Sequence, residues 1–172
     1  FKKICKKNNK DLSVCVVEKG SEVGAHILSG AILEPRALDE LIDNWRSLDD
    51  CPVKVPVMKE SLKFLTESKS YDIPAIFTPS VMHNKGNFII SLGSFCKWLS
   101  QQAENLGVEI YPGFAASDLL IENGRLNGII TGDLGIDKNE EQGPNFQPGI
   151  EIHSKYTLFA EGCRGHLGKK LM

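Results

Sequence analysis

The sequence lacks any excess of positive charge: 20 Lys and Arg stand against 22 Asp and Glu, a formal net charge of -2. A nucleic-acid partner, whose phosphates call for a basic surface, is therefore excluded. No apolar run approaches the roughly 18 to 20 residues that a membrane-spanning helix requires. No Cys-x-x-Cys pair is present. The five cysteines, Cys5, Cys15, Cys51, Cys96 and Cys163, are scattered and odd in number, which argues against zinc or iron-sulfur ligation within these residues and against a secreted disulfide scaffold. A reducing compartment, with the thiols acting as small apolar residues, is the expectation. The start, Phe1-Lys2-Lys3-Ile4, has neither an initiator Met nor a signal-peptide apolar region, and predicts a chain cut at both ends. What is present is 172 residues, 41% hydrophobic and 24% charged, an ordinary globular composition with room for one domain and its core.

Residues 12–18, Leu-Ser-Val-Cys-Val-Val-Glu, form a β-branched apolar run between a polar stretch and Gly20, the pattern of a buried strand ending in an acid. A small-residue loop, 24–31, follows. Leu38, Leu41, Ile42, Trp45 and Leu48 then recur at helical spacing after Glu34-Pro35, predicting one amphipathic helix. Prolines at 52, 56, 74 and 79 break residues 51–87 into short strands and turns, with 73–77 and 88–92 as the expected strands. Leu92, Phe95, Leu99, Ala103 and Leu106 predict a helix over 93–106, stopped by Gly107. Residues 108–111 read as a strand. Residues 116–121 and 126–131 read as a hairpin around Asn123-Gly124, the strongest short hairpin signal. A polar loop, 133–148, leads to strands at 150–153 and 156–160.

Two stretches carry chemistry. In dinucleotide-binding folds an acid at the carboxyl end of a strand accepts hydrogen bonds from ribose hydroxyls, and Glu18 stands in that position; equally, it is an ordinary solvated loop acid. The Gly-x-Gly-x-x-Gly phosphate loop that usually lies about 20 residues upstream is absent from this sequence. The second stretch runs from Tyr156 through Phe159-Ala160-Glu161-Gly162-Cys163-Arg164-Gly165 into a helix start. Such a turn either presents bare backbone and N–H groups to an oxyanion or a flavin carbonyl, or is a plain turn. His26, His83, His153 and His166 lack metal-site spacing and are assigned no catalytic part.

Taken together, Val14-Cys-Val-Val-Glu-Lys-Gly-Ser-Glu-Val-Gly-Ala-His-Ile-Leu-Ser-Gly-Ala31, Leu106-Gly-Val-Glu-Ile-Tyr-Pro-Gly-Phe-Ala-Ala116 and Leu158-Phe-Ala-Glu-Gly-Cys-Arg-Gly-His-Leu-Gly168 resemble the electron-transferring-flavoprotein dehydrogenases, in order and spacing, over essentially the whole chain. The resemblance implies an internal fragment of a membrane-associated, monomeric flavoprotein oxidoreductase that carries FAD and a 4Fe-4S cluster, oxidises reduced electron transfer flavoprotein and reduces ubiquinone. It implies a mitochondrial inner membrane, on the matrix side, or a bacterial inner membrane. Carried over residue by residue, Glu18 binds the adenosine ribose and Ser29 and Gly30 sit near the isoalloxazine. Ala115 and Ala116 offer backbone to the adenine end, and Ala160, Glu161 and Gly162 form a second flavin-contacting turn. The cluster ligands are expected outside these residues, so no metal site is assigned here. Ser91 departs from the family's basic residue.

The implied fold is mixed α/β: parts of a discontinuous, glutathione-reductase-like FAD-binding domain at 1–34 and 93–172, with a quinone or substrate subdomain inserted at 35–92. The stripe Leu38, Leu41, Ile42 and Trp45 is either a membrane or quinone contact, in which case Leu38 and at least some of Leu41, Ile42 and Trp45 are partly exposed, or the inner face of a packed helix. The alternatives for function are a FixC-like or geranylgeranyl-reductase-like flavoprotein, or a stand-alone module without catalysis.

Overall fold

In the computed structural model, residues 1–137, 139 and 141–172 are described. The chain order is α1 (Lys2–Lys7), β1 (Cys15–Glu18), β2 (Gly30–Leu33), α2 (Arg36–Leu41), β3 (Val55–Pro56), β4 (Leu62–Leu65), β5 (Ser70–Ile73), β6 (Phe88–Ser91), α3 (Leu92–Glu104), β7 (Glu109–Pro112), β8 (Ala116–Glu122), β9 (Arg125–Thr131), β10 (Leu134–Ile136), β11 (Gln142–Gln147), β12 (Glu151–His153) and α4 (Leu167–Leu171). Short 3-10 turns interrupt it at Trp45–Ser47, Ala75–Phe77, Ser80–Met82 and Gly162–Arg164. Two compact units result, one of Phe1–Val23 with Glu104–Met172 and one of Gly24–Ala103.

In the first unit β1 and β7 run parallel, Cys15 opposite Glu109 and Glu18 opposite Pro112. Parallel strands are ordinarily covered on both faces, yet Cys15 and Val16 are exposed and Val17 and Glu18 only half-buried. The expectation of a buried strand is thus corrected: of the described residues, only β7 pairs with β1. A three-stranded antiparallel sheet, β12-β9-β8, and the antiparallel pair β10-β11, which stands where a polar loop was expected, form the other sheets of this unit. Its β8–β9 hairpin turns at Asn123 and Gly124, whose φ of 52° and 73° give the type I′ geometry that the right-handed twist of two strands favours. Gly128 on β9 admits no side chain, because a Cβ there would come within 2.0 Å of the Ile152 carbonyl oxygen. Leu120, Ile129, Thr131 and Leu167 are buried in this unit. Residues 156–160 form no strand: nothing described pairs with them, and Leu158 is 94% exposed.

The second unit is built on the antiparallel sheet β2-β6-β3. Leu38, Trp45, Cys51, Val53, Ile90, Phe95 and Trp98 make its core, with Leu33, Ile42, Leu48, Phe88, Leu92 and Leu99 packed around them. Helix α3 forms where the three-to-four spacing placed it, directing Phe95 and Trp98 inward. The single helix expected after Pro35 is replaced by two short pieces. Helix α2 ends at Leu41; Ile42 after it is extended, with φ of -136° and ψ of 92°, and Asp43 and Asn44 follow, residues that compete with helical hydrogen bonding. Trp45 then reaches the core from its own 3-10 turn.

Of the exposure expected for the stripe, that of Leu38 is corrected, while that of some of the others is met. Leu38 is 4% exposed and Trp45 1%, whereas Leu41 is 52% exposed and Ile42 half-buried. The indole of Trp45 is held on three sides: Nε1–H donates to Asp39 Oδ1 at 2.7 Å, the ring meets Phe88 edge-on at 5.4 Å, and the Arg46 guanidinium lies 4.3 Å over it. Arg46 also bonds the Asp39 carboxylate, and with the Trp45 N–H holds that carboxyl below the usual carboxylate range. Residues 73–77 do not extend a strand either. The ladder of β5 stops at Ile73 because Pro74 has no N–H to give, and a 3-10 turn follows.

Candidate functional site

Strands β1 and β7 end side by side, and the carboxyl edge of a parallel sheet is where open α/β folds bind ligands. Glu18 closes β1 there. Its Oε1 accepts the Gly20 N–H at 2.6 Å, and the residue is half-buried. Gly113, at φ 84° just past β7, donates its N–H to the Gly20 carbonyl at 2.7 Å. That bond ties the loops after β1 and β7 together, and sequence inspection missed it: a lone Gly in a loop carries no signal of its partner.

From Pro112, opposite Glu18, the chain runs directly to Ala115 and Ala116. The Ala115 carbonyl accepts the Gly132 N–H at 2.8 Å, and Ala116 pairs with Thr131 at the start of the β8–β9 ladder. Both alanines are half-buried. Their small side chains leave the backbone approachable, the condition for an edge-on contact with a flat ring.

Ala160, Glu161 and Gly162 lie in the same unit. Of the two readings of this turn, donors open to a ligand or a plain turn, the first does not hold for Leu167 and Gly168 at the start of α4: the Glu161 carboxylate takes both N–H groups. Oε1 accepts the Leu167 N–H at 3.1 Å and Oε2 the Gly168 N–H at 2.9 Å. The Gly168 bond, then the Leu167 bond, hold this carboxyl below its ordinary range. A free helix-start donor was legible in the Gly-rich pattern, but not that the acid seven residues before Gly168 would fold back onto it.

Ser29 and Gly30 belong to the other unit, at the exposed entry to β2. Gly30 pairs with Ser91, and a Cβ there would meet the Ile90 carbonyl oxygen at 2.8 Å. Close strand packing alone therefore accounts for this glycine. Ser91 Oγ accepts the Ser94 N–H at 3.4 Å at the start of α3, a long helix-start contact. Among the described residues no group of three or more His, Cys, Asp or Glu is placed to hold a metal ion, and no helix is long and apolar enough to cross a membrane.

The residues of the first unit fit a dinucleotide such as FAD: an acid at the carboxyl end of a parallel strand, with a small-residue segment, Ala115 and Ala116, following the neighbouring strand. Solved structures with the same fold include that of Thermovibrio ammonificans THI4, with a TM-score of 0.51 at 14% identity over 90% of this chain and 49% of that one. The myxobacterial halogenase CndH, described as a variant of FAD-dependent halogenases, aligns with a TM-score of 0.50 at 13% identity over 83% of this chain and 30% of its own. The class these likenesses show is a mixed α/β fold, shared with an FAD-dependent halogenase. No family model matches the chain.

Curated relatives are far nearer in sequence. The electron transfer flavoprotein-ubiquinone oxidoreductase of Pseudomonas aeruginosa is 58% identical over 167 residues, 95% of this chain and 30% of that protein. Those of Oryza sativa and Bos taurus, both mitochondrial, are 50% and 46% identical over 173 residues, 29% and 28% of their lengths. The chain belongs to the electron transfer flavoprotein-ubiquinone oxidoreductases, and spans about 30% of the length of the curated relatives it matches.

Proposed function

We propose that the protein containing this chain takes electrons from reduced electron transfer flavoprotein and passes them to ubiquinone, using FAD and a 4Fe-4S cluster whose ligands lie outside these residues. The observation that carries the reading is the identity of 45–58% over 95–100% of the chain to relatives bearing that name. FAD, when bound, supplies the one- and two-electron steps. The chain's own residues bind and orient it: Glu18 accepts the ribose hydroxyls, and the Ala115–Ala116 backbone borders the adenine. Ser29 and Gly30 adjoin the isoalloxazine, and the turn Ala160, Glu161, Gly162 meets the flavin through its backbone. In this reading 1–34 and 93–172 serve the cofactor and 35–92 the quinone.

The test is made on the complete protein. It should retain stoichiometric flavin after desalting and reoxidise reduced electron transfer flavoprotein only when ubiquinone is present; a purified protein that does neither overturns the reading. Glu18→Ala should weaken FAD binding by about 1 to 3 kcal/mol, the scale of lost charge-assisted hydrogen bonds, measured by titrating the apoprotein. An unchanged affinity removes the ribose assignment.

Membrane and quinone contact, with Leu38 and Trp45 in the core, falls to another surface of the same unit. In the β4–β5 hairpin Leu62 stands opposite Ile73 and Phe64 opposite Tyr71, which sets four apolar side chains on one face. Leu62, Phe64 and Tyr71 are exposed, as are Ile76, Phe77 and Val81 beyond them. We assign to this face the contact with the bilayer and with the ubiquinone tail, at a mitochondrial or bacterial inner membrane. What supports the assignment is that the exposed large apolar side chains recur along one stretch of chain, with Phe64 and Tyr71 paired across the hairpin, rather than standing singly as is ordinary on a soluble face.

A further inference from the structure

The Glu161 side chain is bent back along its own turn. Its carboxylate spans the loop 162–166 to reach the Leu167 and Gly168 N–H groups, and it lies against Gly165, where an added Cβ would come within 2.8 Å of Oε2 and 3.0 Å of the Glu161 Cβ. Gly162, at φ 72°, has nothing within 4 Å of where a Cβ would stand, so the loop is packed on the Glu161 side and open at Gly162. The far end of the strap is anchored twice. Leu167 is buried to 1% exposure, and Lys170 Nζ reaches Asp118 Oδ1 at 3.0 Å and the Ser117 carbonyl at 3.3 Å, two and one residues beyond Ala116.

A carboxylate has only acceptor capacity. Here each oxygen already receives a backbone donor at a helix start, where negative charge is favoured. We infer that Glu161 is a positioning residue: through the first turn of α4 it fixes the conformation of the 162–165 backbone, and does not itself touch the cofactor. The inference rests on the proposed function, which sets the backbone of the turn 160–162, continuous with this loop at Gly162, against FAD.

A double-mutant cycle in the complete protein tests it. Glu161→Ala removes the acceptor, and Gly168→Pro removes one of its donors at a first-turn position that tolerates proline. FAD affinity is read by fluorescence titration, and the environment of the bound flavin by its visible absorption envelope. Glu161→Ala should raise the FAD dissociation constant about tenfold and alter the envelope, the scale of one or two lost hydrogen bonds to a charged group. Glu161→Gln, which keeps one acceptor oxygen, should fall between it and the wild type, and carries the test if the alanine variant does not fold. The double variant should bind no more weakly than Glu161→Ala alone, since both changes break one interaction. Losses that multiply mean that the carboxylate acts on the cofactor directly and overturn the inference, as does wild-type affinity in Glu161→Ala. A wild-type protein that holds no FAD overturns the functional reading and the inference with it; the other two results overturn the inference alone.

Discussion

Replacing Trp45 by Ala should lower the stability of the unit Gly24–Ala103 by about 3 to 5 kcal/mol, the usual cost of deleting a large buried aromatic. Three losses combine: the cavity left by a ring that is 1% exposed, the edge-on contact with Phe88, and the hydrogen bond to Asp39. The last leaves Asp39 paired with Arg46 alone, so no buried charge is orphaned, and the effect is dominated by packing. Urea unfolding followed through the fluorescence of Trp98, which is also buried, measures it. Leu41→Asp, on the same stripe but exposed, is the control and should stay within about 0.5 kcal/mol of wild type. Equal midpoints for Trp45→Ala and wild type would return the ring to the surface.

That contrast within one stripe marks what the sequence made legible and what it did not. Helical spacing says which residues share a face; it does not say whether protein, lipid or water covers that face. The breaks at Asp43-Asn44 and Pro74 are local events that the wider periodicity hides, and the first of them sends Leu38 and Trp45 into the core from separate pieces of chain. Where the local signal is strong and its partner adjacent, the reading was secure: Asn123-Gly124 joins β8 and β9, and the Leu92, Phe95, Leu99 spacing gives α3. The place of Glu18 at the end of β1 was legible because an apolar β-branched run ending in an acid marks a strand end. Residues 156–160 were misread for the opposite reason, since an apolar run becomes a strand only when another strand pairs with it. The fold-back of Glu161 escaped because a seven-residue reach across glycines has no periodic signature.

Substituting the apolar face of the β4–β5 hairpin should release the complete protein from membranes without unfolding it. Phe64 and Tyr71 stand opposite one another at 60% and 52% exposure, so removing their rings leaves no cavity. Phe64→Thr with Tyr71→Thr keeps β-favouring residues in a cross-strand pair that suits a sheet, and the ion pair between Lys63 and Asp72 on the opposite face, at 2.7 Å, is untouched. A two-stranded hairpin has little stability of its own, which is why the replacements retain strand propensity and introduce no like charges. Two rings carry enough apolar area that withdrawing them from lipid should cost about 3 kcal/mol, roughly a hundredfold in partitioning. Sedimentation with phospholipid vesicles reads that change, and the urea midpoint of the same variant should match wild type. Reduction of a ubiquinone with a long isoprenoid tail should fall with the loss of vesicle binding, while flavin reduction by electron transfer flavoprotein continues, because removing this apolar face impairs quinone entry and leaves the residues assigned to FAD unchanged. Undiminished vesicle binding by the double variant would move the membrane contact off this hairpin.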